Sequence, residues 1–455
     1  MTTSPARRAA FVILRRVEQE SAYASVLLSG LDERMRGDDR ALCQELVLGV
    51  LRRQLWLDRA LEHFANRRME GIDSPVRLAL RLGLYQLRFL SRIPPSAAVN
   101  ESVNLVRAAR LKSAAHFVNA VLRGATREPN YDPAAEVENP LEALAIETSH
   151  PLWLIERWCA ALGSKEAAAL ARANNEPAPV AFRVTAKAIK VYGGPEHLIE
   201  QFELAGVRLS KSKITPNAWR VVSCQTARDS ERLNAATLVR ELACDGLIYL
   251  QDEGSQLVGH LLAPQSADRV LDACAAPGSK STQIALLWPT SMLVAGDLHE
   301  HRLRTLRGLA AAQHSDAIQP VTYDATRALP FADASFDCIL VDAPCSGTGT
   351  LRRNPEIRWR IRPADITEIS MKQTRILGNA AATVRPGGRL LYSTCSLEPE
   401  ENEAVIEKFL RDRTDFRAVQ FDISPELRTN TGAARTWPHR QDVDGFFIAA
   451  FERQS

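Results

Sequence analysis

A chain of 455 residues, 45% hydrophobic and 24% charged, is long enough for about three domains that each bury a core. No run approaches the roughly 18 consecutive apolar residues of a membrane span, and Met1-Thr2-Thr3-Ser4-Pro5-Ala6-Arg7-Arg8 lacks the apolar core of a secretory signal, so a cytoplasmic protein with no membrane partner is expected. The net charge of +3 divides into +8 over residues 1–130 (21 Lys+Arg against 13 Asp+Glu) and −5 over the rest (36 against 41), which points to a polyanion-binding module on a mildly acidic body.

The first 130 residues read as an all-α bundle of six or seven helices. Phe11, Val12, Leu14 and Val17 recur near a 3.6 spacing, as do Leu42, Leu46, Val47, Val50 and Leu51. Further helices are predicted over 76–89, 99–109 and 114–123, with Pro94-Pro95 breaking the run between the first two. Residues 131–177, with Asp132-Pro133, Pro140 and His150-Pro151, read as a linker with a short helix at 141–147 and a helical segment from 152. Then the period changes. Strands at 180–184 and 219–222 around a helix at 197–204 make a small α+β module over 178–244.

Over 245–455 strands alternate with helices. Strands are predicted at 269–273, 292–296, 318–323, 337–342 and 388–394, and helices at 280–288, 299–312 and 364–384. Parallel strands need right-handed crossovers, so a Rossmann-like, doubly wound α/β sheet is the economical arrangement. Apolar runs at 415–421 and 446–451 supply an antiparallel edge pair.

Ligands of such a sheet bind beyond the carboxyl ends of its strands. The first strand runs into the loop Asp272-Ala273-Cys274-Ala275-Ala276-Pro277-Gly278-Ser279-Lys280, whose small residues let backbone N–H groups approach a ligand at a helix N-terminus. The loop is neither G-x-G-x-x-G nor G-x4-G-K-[ST], so nicotinamide and nucleoside-triphosphate readings lose support. Asp297, Asp324 and Asp342 close the next three strands. With Asp272 they form an acceptor-rich wall suited to ribose, adenine amino and ammonium donors, all present in S-adenosyl-L-methionine.

Eight cysteines (43, 159, 224, 244, 274, 338, 345, 395) show no Cys-x-x-Cys spacing, so neither a metal site nor a disulfide framework is expected. Cys43, Cys159, Cys224 and Cys244 read as small buried hydrophobes. Cys345, in Asp342-Ala343-Pro344-Cys345-Ser346, and Cys395, in Ser393-Thr394-Cys395-Ser396, each follow a strand end. Two thiols there point to covalent chemistry on an electrophilic ring.

On these residues the sequence resembles the Sun-type RNA cytosine carbon-5 methyltransferases, in the bacterial branch that acts on small-subunit (16S) ribosomal RNA. The loop 272–280, the turns 342–346 and 394–396, and the segments Arg353-Asn354-Pro355-Glu356-Ile357-Arg358-Trp359, Pro399-Glu400-Glu401-Asn402-Glu403 and Asp444-Gly445-Phe446-Phe447 follow in family order. The resemblance implies a class I methyltransferase domain and a NusB-like RNA-binding bundle. It places S-adenosyl-L-methionine on Cys274, Ala275, Ala276, Pro277, Gly278, Ser279, Lys280, Asp297, Asp324 and Asp342. It makes Cys395 the nucleophile and Cys345 the residue that assists product release. Ser279 stands where the family usually has a second glycine.

The chemistry follows from the ring. Carbon 5 of cytosine is a poor nucleophile until a thiolate adds to carbon 6; a base must then remove the carbon-5 proton so that the thiolate can leave. The cytosine must be single-stranded or flipped out, and Asp342 can hold its amino edge. Pro344-Cys345 also imitates the attacking turn of DNA cytosine methyltransferases, so exchanged cysteine roles stand as the alternative. Arg352 and Arg353 are expected to hold RNA phosphates, and Trp359 to pack rather than stack. Transfer RNA as substrate, or a non-catalytic RNA-binding assembly factor, are the other readings, and no feature sets an oligomeric state.

Overall fold

The computed structural model describes residues 3–32, 34–222, 229–288, 290–315 and 317–454. The chain forms two compact units, Met1–Pro177 with Leu351–Arg360, and Ala178–Thr350 with Ile361–Ser455.

The first unit is helical. Its bundle holds seven α-helices among the described residues: Pro5–Gln19, Ala24–Ser29, Gly37–Arg52, Gln54–Ala65, Ser74–Phe89, Pro95–Ala108 and Ala114–Arg127. Ser74–Phe89 is the central one. Proline in its first turn suits the helix start, and every residue from Leu78 to Gln86 is buried. Arg81 forms a two-pronged ion pair with Asp58 inside the bundle, both contacts 2.7 Å. Helices Pro140–Thr148, Leu152–Leu162 and Ser164–Ala173 follow, the first capped by Asn139.

Leu351–Arg360 belongs to this unit although its flanks belong to the other. Its short helix, Ile357–Arg360, carries a wholly buried Arg358. That guanidinium donates to Ser149 O (3.0 Å), Asn174 O (3.2 Å) and Asn175 Oδ1 (2.9 Å), groups left open where the linker helices end. Burial, with Arg52 and Arg53 nearby, lowers its pKa to about 9. Trp359 packs, its Nε1 donating to Leu51 O. The expected phosphate contact from Arg352 is corrected here. Arg352 is 3% exposed and donates to Pro177 O (2.8 Å), because unpaired carbonyls need a donor more than the surface needs a charge. Arg353 is half-buried.

The second unit opens with an antiparallel sheet of β1 (Ala181–Val184), β2 (Leu209–Lys211), β3 (Ala218–Val221) and β4 (Ile248–Leu250), in the order β2-β3-β1-β4. Phe182 and Phe202 stack beneath it at 5.1 Å. Two of the cysteines expected to be buried are not. Cys244, the last residue of its helix, is exposed, off the face that buries Val239 and Leu242, and Cys159 is half-buried. Cys43 is buried, and Cys224 lies outside the described residues.

The large sheet contains β5 (Arg269–Asp272), β6 (Met292–Asp297), β7 (Ile318–Thr322), β8 (Phe336–Asp342), β9 (Val384–Thr394), β10 (Phe416–Val419), β11 (Ala434–Arg435) and β12 (Phe447–Arg453). Its order is β10-β12-β9-β8-β5-β6-β7, with β11 paired to β12. Strands β5 to β9 are mutually parallel; β10 and β12 form the antiparallel edge. Val270, Leu271, Ile339, Leu340, Leu390 and Leu391 are fully buried, as a sheet covered on both faces requires. The strand order reverses between β5 and β8, so their carboxyl ends flank the crevice where such sheets take ligands. Strand β9 starts earlier than the predicted 388, because a register shift lets Pro386-Gly387 sit inside it.

Candidate active site

Strands β8 and β9 run in parallel with Asp342 opposite Ser393. Cys345 lies three residues beyond the first and Cys395 one residue beyond the second. Their sulfurs are 3.2 Å apart. Gly349 makes the approach possible: its N–H donates to Cys395 O (2.9 Å) and its carbonyl accepts from Gly445 N–H (2.8 Å). A Cβ there would stand 2.1 Å from Gly445 O and 2.8 Å from Cys395 O, so only glycine fits.

Behind the cysteines is a buried polar network. Glu401, wholly buried, accepts from Ser346 N–H (2.8 Å), Ser396 Oγ (2.6 Å) and Gln373 Nε2 (3.0 Å). Ser346 and Ser396 touch through their hydroxyls at 3.0 Å, so the residues after the two cysteines are tied to one carboxylate. Asn402 accepts from Thr394 Oγ1 (2.6 Å) and donates to Ser396 O (2.8 Å). Such a network fixes two turns against each other because each member is lost at a desolvation cost.

The cofactor loop lies on the other side. Gly278 has φ +108°, and a Cβ there would meet Leu306 at 2.7 Å. Ser279 starts the following helix, Ser279–Leu287, without positive φ, so serine is tolerated where glycine was expected. Ala275 N–H donates to Gly296 O (2.7 Å) and Ala276 N–H to Asp297 Oδ2 (3.3 Å). Asp297 also accepts from His299 N–H (3.0 Å). Asp324 lies two residues past β7; its Oδ1 accepts from Thr326 N–H and Oγ1, and these bonds hold its pKa below the usual carboxylate range. Cys274 is half-buried, its thiol pushed up by burial and by Asp272.

Lys280 reaches toward the cysteines. Its ammonium donates to Asp342 Oδ2 (2.6 Å), and Ser393 donates to Oδ1 (2.7 Å). Phe446 covers it, 5.4 Å from ring centroid to Nζ. Burial lowers its pKa, but the Asp342 charge and hydrogen bond outweigh this, and Cys395 adds to them; the net shift is upward. Cys345 is held well above the ordinary thiol range, first by its hydrogen bond with Cys395, then by burial and by the charge at Cys395.

Asp272, 1% exposed, accepts from Ser281 Oγ (2.7 Å) through Oδ2, while Oδ1 has no hydrogen-bond partner among the described residues. Burial pushes its pKa up to about 7, against the Ser281 bond and with help from Asp342. A buried carboxylate oxygen without a donor, beside the Cys274–Lys280 loop, fits a ligand that brings an ammonium or hydroxyl. The residues present therefore suit S-adenosyl-L-methionine.

All ten loop and strand-end positions read from the sequence lie at the carboxyl end of this sheet, and the two cysteines are in contact. Sequence reasoning missed Glu401 and Gln373. Gln373 had a signal, a polar residue within the apolar stripe Ile366, Ile376, Leu377 and Ala380 of helix Pro363–Ala382.

Comparisons with known proteins agree over the whole length. A family model for the 16S rRNA methyltransferase RsmB/F matches residues 259–452, one for the NusB family matches 4–127, and one for the ferredoxin-like domain of RsmF/B-like methyltransferases matches 150–226. The chain is 34% identical to the probable ribosomal RNA small subunit methyltransferase B of Bacillus subtilis (strain 168), over 100% of both chains. It is 31% identical to the ribosomal RNA small subunit methyltransferase B of Escherichia coli (strain SMS-3-5 / SECEC), over 96% of each. The crystal structure of PH0851 is similar with TM-score 0.80 and 26% identity, over 99% of this chain and 100% of that one. NSun6 from Pyrococcus horikoshii, solved with SFG, has TM-score 0.57 and 21% identity over 67% of this chain and 98% of its own, a likeness of fold alone.

Proposed function

Because the chain belongs to the 16S rRNA methyltransferase RsmB/F family, and so is an S-adenosyl-L-methionine-dependent rRNA methyltransferase, we propose that it methylates carbon 5 of a cytosine in small-subunit ribosomal RNA through a covalent Cys395 bond to carbon 6. The observation that carries this reading is the contact of two strand-end sulfurs at 3.2 Å beside the cofactor loop.

S-adenosyl-L-methionine, when bound, supplies the electrophilic methyl group that carbon 5 accepts. Cys274–Lys280, Asp297, Asp324 and Asp342 are the residues that hold it, with Asp272 Oδ1 open to a donor. The Lys280 ammonium stabilises a thiolate at Cys395. Cys395 Sγ adds to carbon 6, and the electron pair of the ring double bond moves to carbon 5. Each Asp342 oxygen keeps a lone pair for the amino edge of the base. Cys345 Sγ, its own proton given up to water, accepts the carbon-5 proton; the electron pair of that carbon–hydrogen bond re-forms the ring double bond, and the bond from carbon 6 to Cys395 breaks to return that sulfur as a thiolate. Holding the reacting groups together can contribute about 7–11 kcal/mol.

The target cytosine is unpaired or flipped out, since a base inside a duplex exposes neither carbon to the thiol. A reducing cytoplasm is the compartment that keeps both thiols free. The test uses Cys→Ala variants with small-subunit rRNA. Cys345→Ala accumulates an RNA adduct that survives denaturing electrophoresis, and Cys395→Ala gives none. The reverse pattern would exchange the two roles. Methyl label in stripped small-subunit rRNA but not in transfer RNA fixes the substrate class.

A further inference from the structure

Residues 102–127 contain Arg107, Arg110, Lys112, Arg123 and Arg127, and no Asp or Glu. These five supply most of the +8 net charge of residues 1–130. They occupy the last turn of helix Pro95–Ala108, the tight turn after it, and helix Ala114–Arg127. That last helix buries Ala115, Val118, Val121, Leu122 and Ala125, which leaves His116, Ala120, Arg123 and Arg127 along its exposed face. Arg107, Arg110 and Lys112 are exposed as well. From His116 to Arg127 the helix rises roughly 16 Å.

None of the five forms an ion pair among the described residues; Arg123 donates to Asn119 Oδ1 instead. Elsewhere in the bundle arginines are neutralised: Arg16 by Glu20, Arg59 by Glu62, Arg77 by Glu18 and Arg81 by Asp58. The turn carries a further sign. Leu111 N–H bonds Val106 O and Arg110 N–H bonds Arg107 O, the hydrogen-bond pattern that places a left-handed residue at the helix end. Glycine relieves that conformation, yet the position (φ +64°) is occupied by arginine. No large hydrophobic residue of 102–127 is exposed, so the face offers charge without an apolar anchor.

We propose that this face binds the phosphate backbone of the substrate RNA, through charge and without reading sequence. A row of unpaired cations free of acids matches a phosphate chain, whereas protein partners are held mainly by aromatic and apolar anchors. The inference rests on the rRNA reading above. It assigns to Arg107, Arg110, Lys112, Arg123 and Arg127 the anchoring of the RNA backbone by the helical unit.

The test uses the full-length protein and protein-free small-subunit rRNA, with affinity measured against KCl concentration. Each phosphate neutralised contributes about 0.7–0.9 to the slope of log affinity against log salt. Arg107→Ala/Arg110→Ala/Lys112→Ala is expected to lower that slope by about 2 to 3 and to raise KM for RNA with kcat unchanged. Arg107→Lys/Arg110→Lys is expected to keep the slope. Arg123→Gln/Arg127→Gln, on an exposed helix face, gives an independent reading if the triple variant melts early, with a loss of about 1 to 2. Unchanged slopes in both alanine and glutamine variants overturn the proposal, as does a loss of binding to phosphatidylserine vesicles with RNA binding intact. The cytosine chemistry is scored separately, as 5-methylcytosine formed by the unaltered protein. Product with unchanged slopes removes this face alone; no product removes the functional reading.

Discussion

At the scale of single residues, proton placement organises the site. Asp272 holds its proton up to about pH 7 because burial outweighs the Ser281 hydrogen bond. A ligand cation beside it favours the carboxylate, so below about pH 7 binding must displace a proton. Affinity for S-adenosyl-L-methionine is therefore expected to fall as pH drops from about 7 to 6, by up to tenfold per unit. Asp272→Asn is expected to flatten that profile, as calorimetric titration across the range would show. Asp272, Asp342, Cys345 and Cys395 were legible in the sequence because each is a reactive or charged type placed at a strand end. Glu401 was not singled out, since a lone carboxylate among Glu398, Glu400, Glu401 and Glu403 reads as a solvated turn until Ser346 and Ser396 are seen to converge on it.

At the scale of elements, close approach and buried charge do the positioning. Gly349 lets three backbone segments meet, and Gly349→Ala sets a Cβ against Gly445 O and Cys395 O. The cysteine turns must then separate. A loss of about a hundredfold in kcat with cofactor affinity retained is expected from single-turnover assays. In the helical unit, His150 is buried and held well below its ordinary pKa of 6.5, first by burial and then by the Arg358 charge. The unfolded chain takes up that proton first. Stability is therefore full above about pH 6.5 and is lost as pH falls below it, by up to about 1.4 kcal/mol per unit. Thermal unfolding at about pH 7.5 and 5.5 measures the difference, which His150→Gln should reduce. Arg358→Ala leaves several buried acceptors unpaired and is expected to cost about 3 kcal/mol, read as a lower melting temperature. These roles escaped sequence reading. Arg352 and Arg358 lie in a basic run beside Trp359, and nothing local distinguishes a guanidinium that seeks phosphate from one that caps carbonyls.

At the scale of the whole molecule, strand and helix order was legible because the period changes sharply, from 3.6 in the bundle to strand–helix alternation after residue 245. The five parallel strands and the antiparallel edge fall where the apolar runs lie. The return of Leu351–Arg360 to the helical unit was not legible, since no periodicity records a partner some two hundred residues away. It bears on how the protein is made. Residues 1–177 leave the ribosome first, but the strand of chain that completes them follows roughly 170 residues later, on the order of ten to thirty seconds of synthesis. A fragment ending at Pro177 is expected to resist protease poorly and to gain resistance when a peptide spanning 351–360 is supplied. Until translation passes Arg360, the 177 residues already made wait unfinished, a natural client for whatever chaperone stands at the tunnel exit.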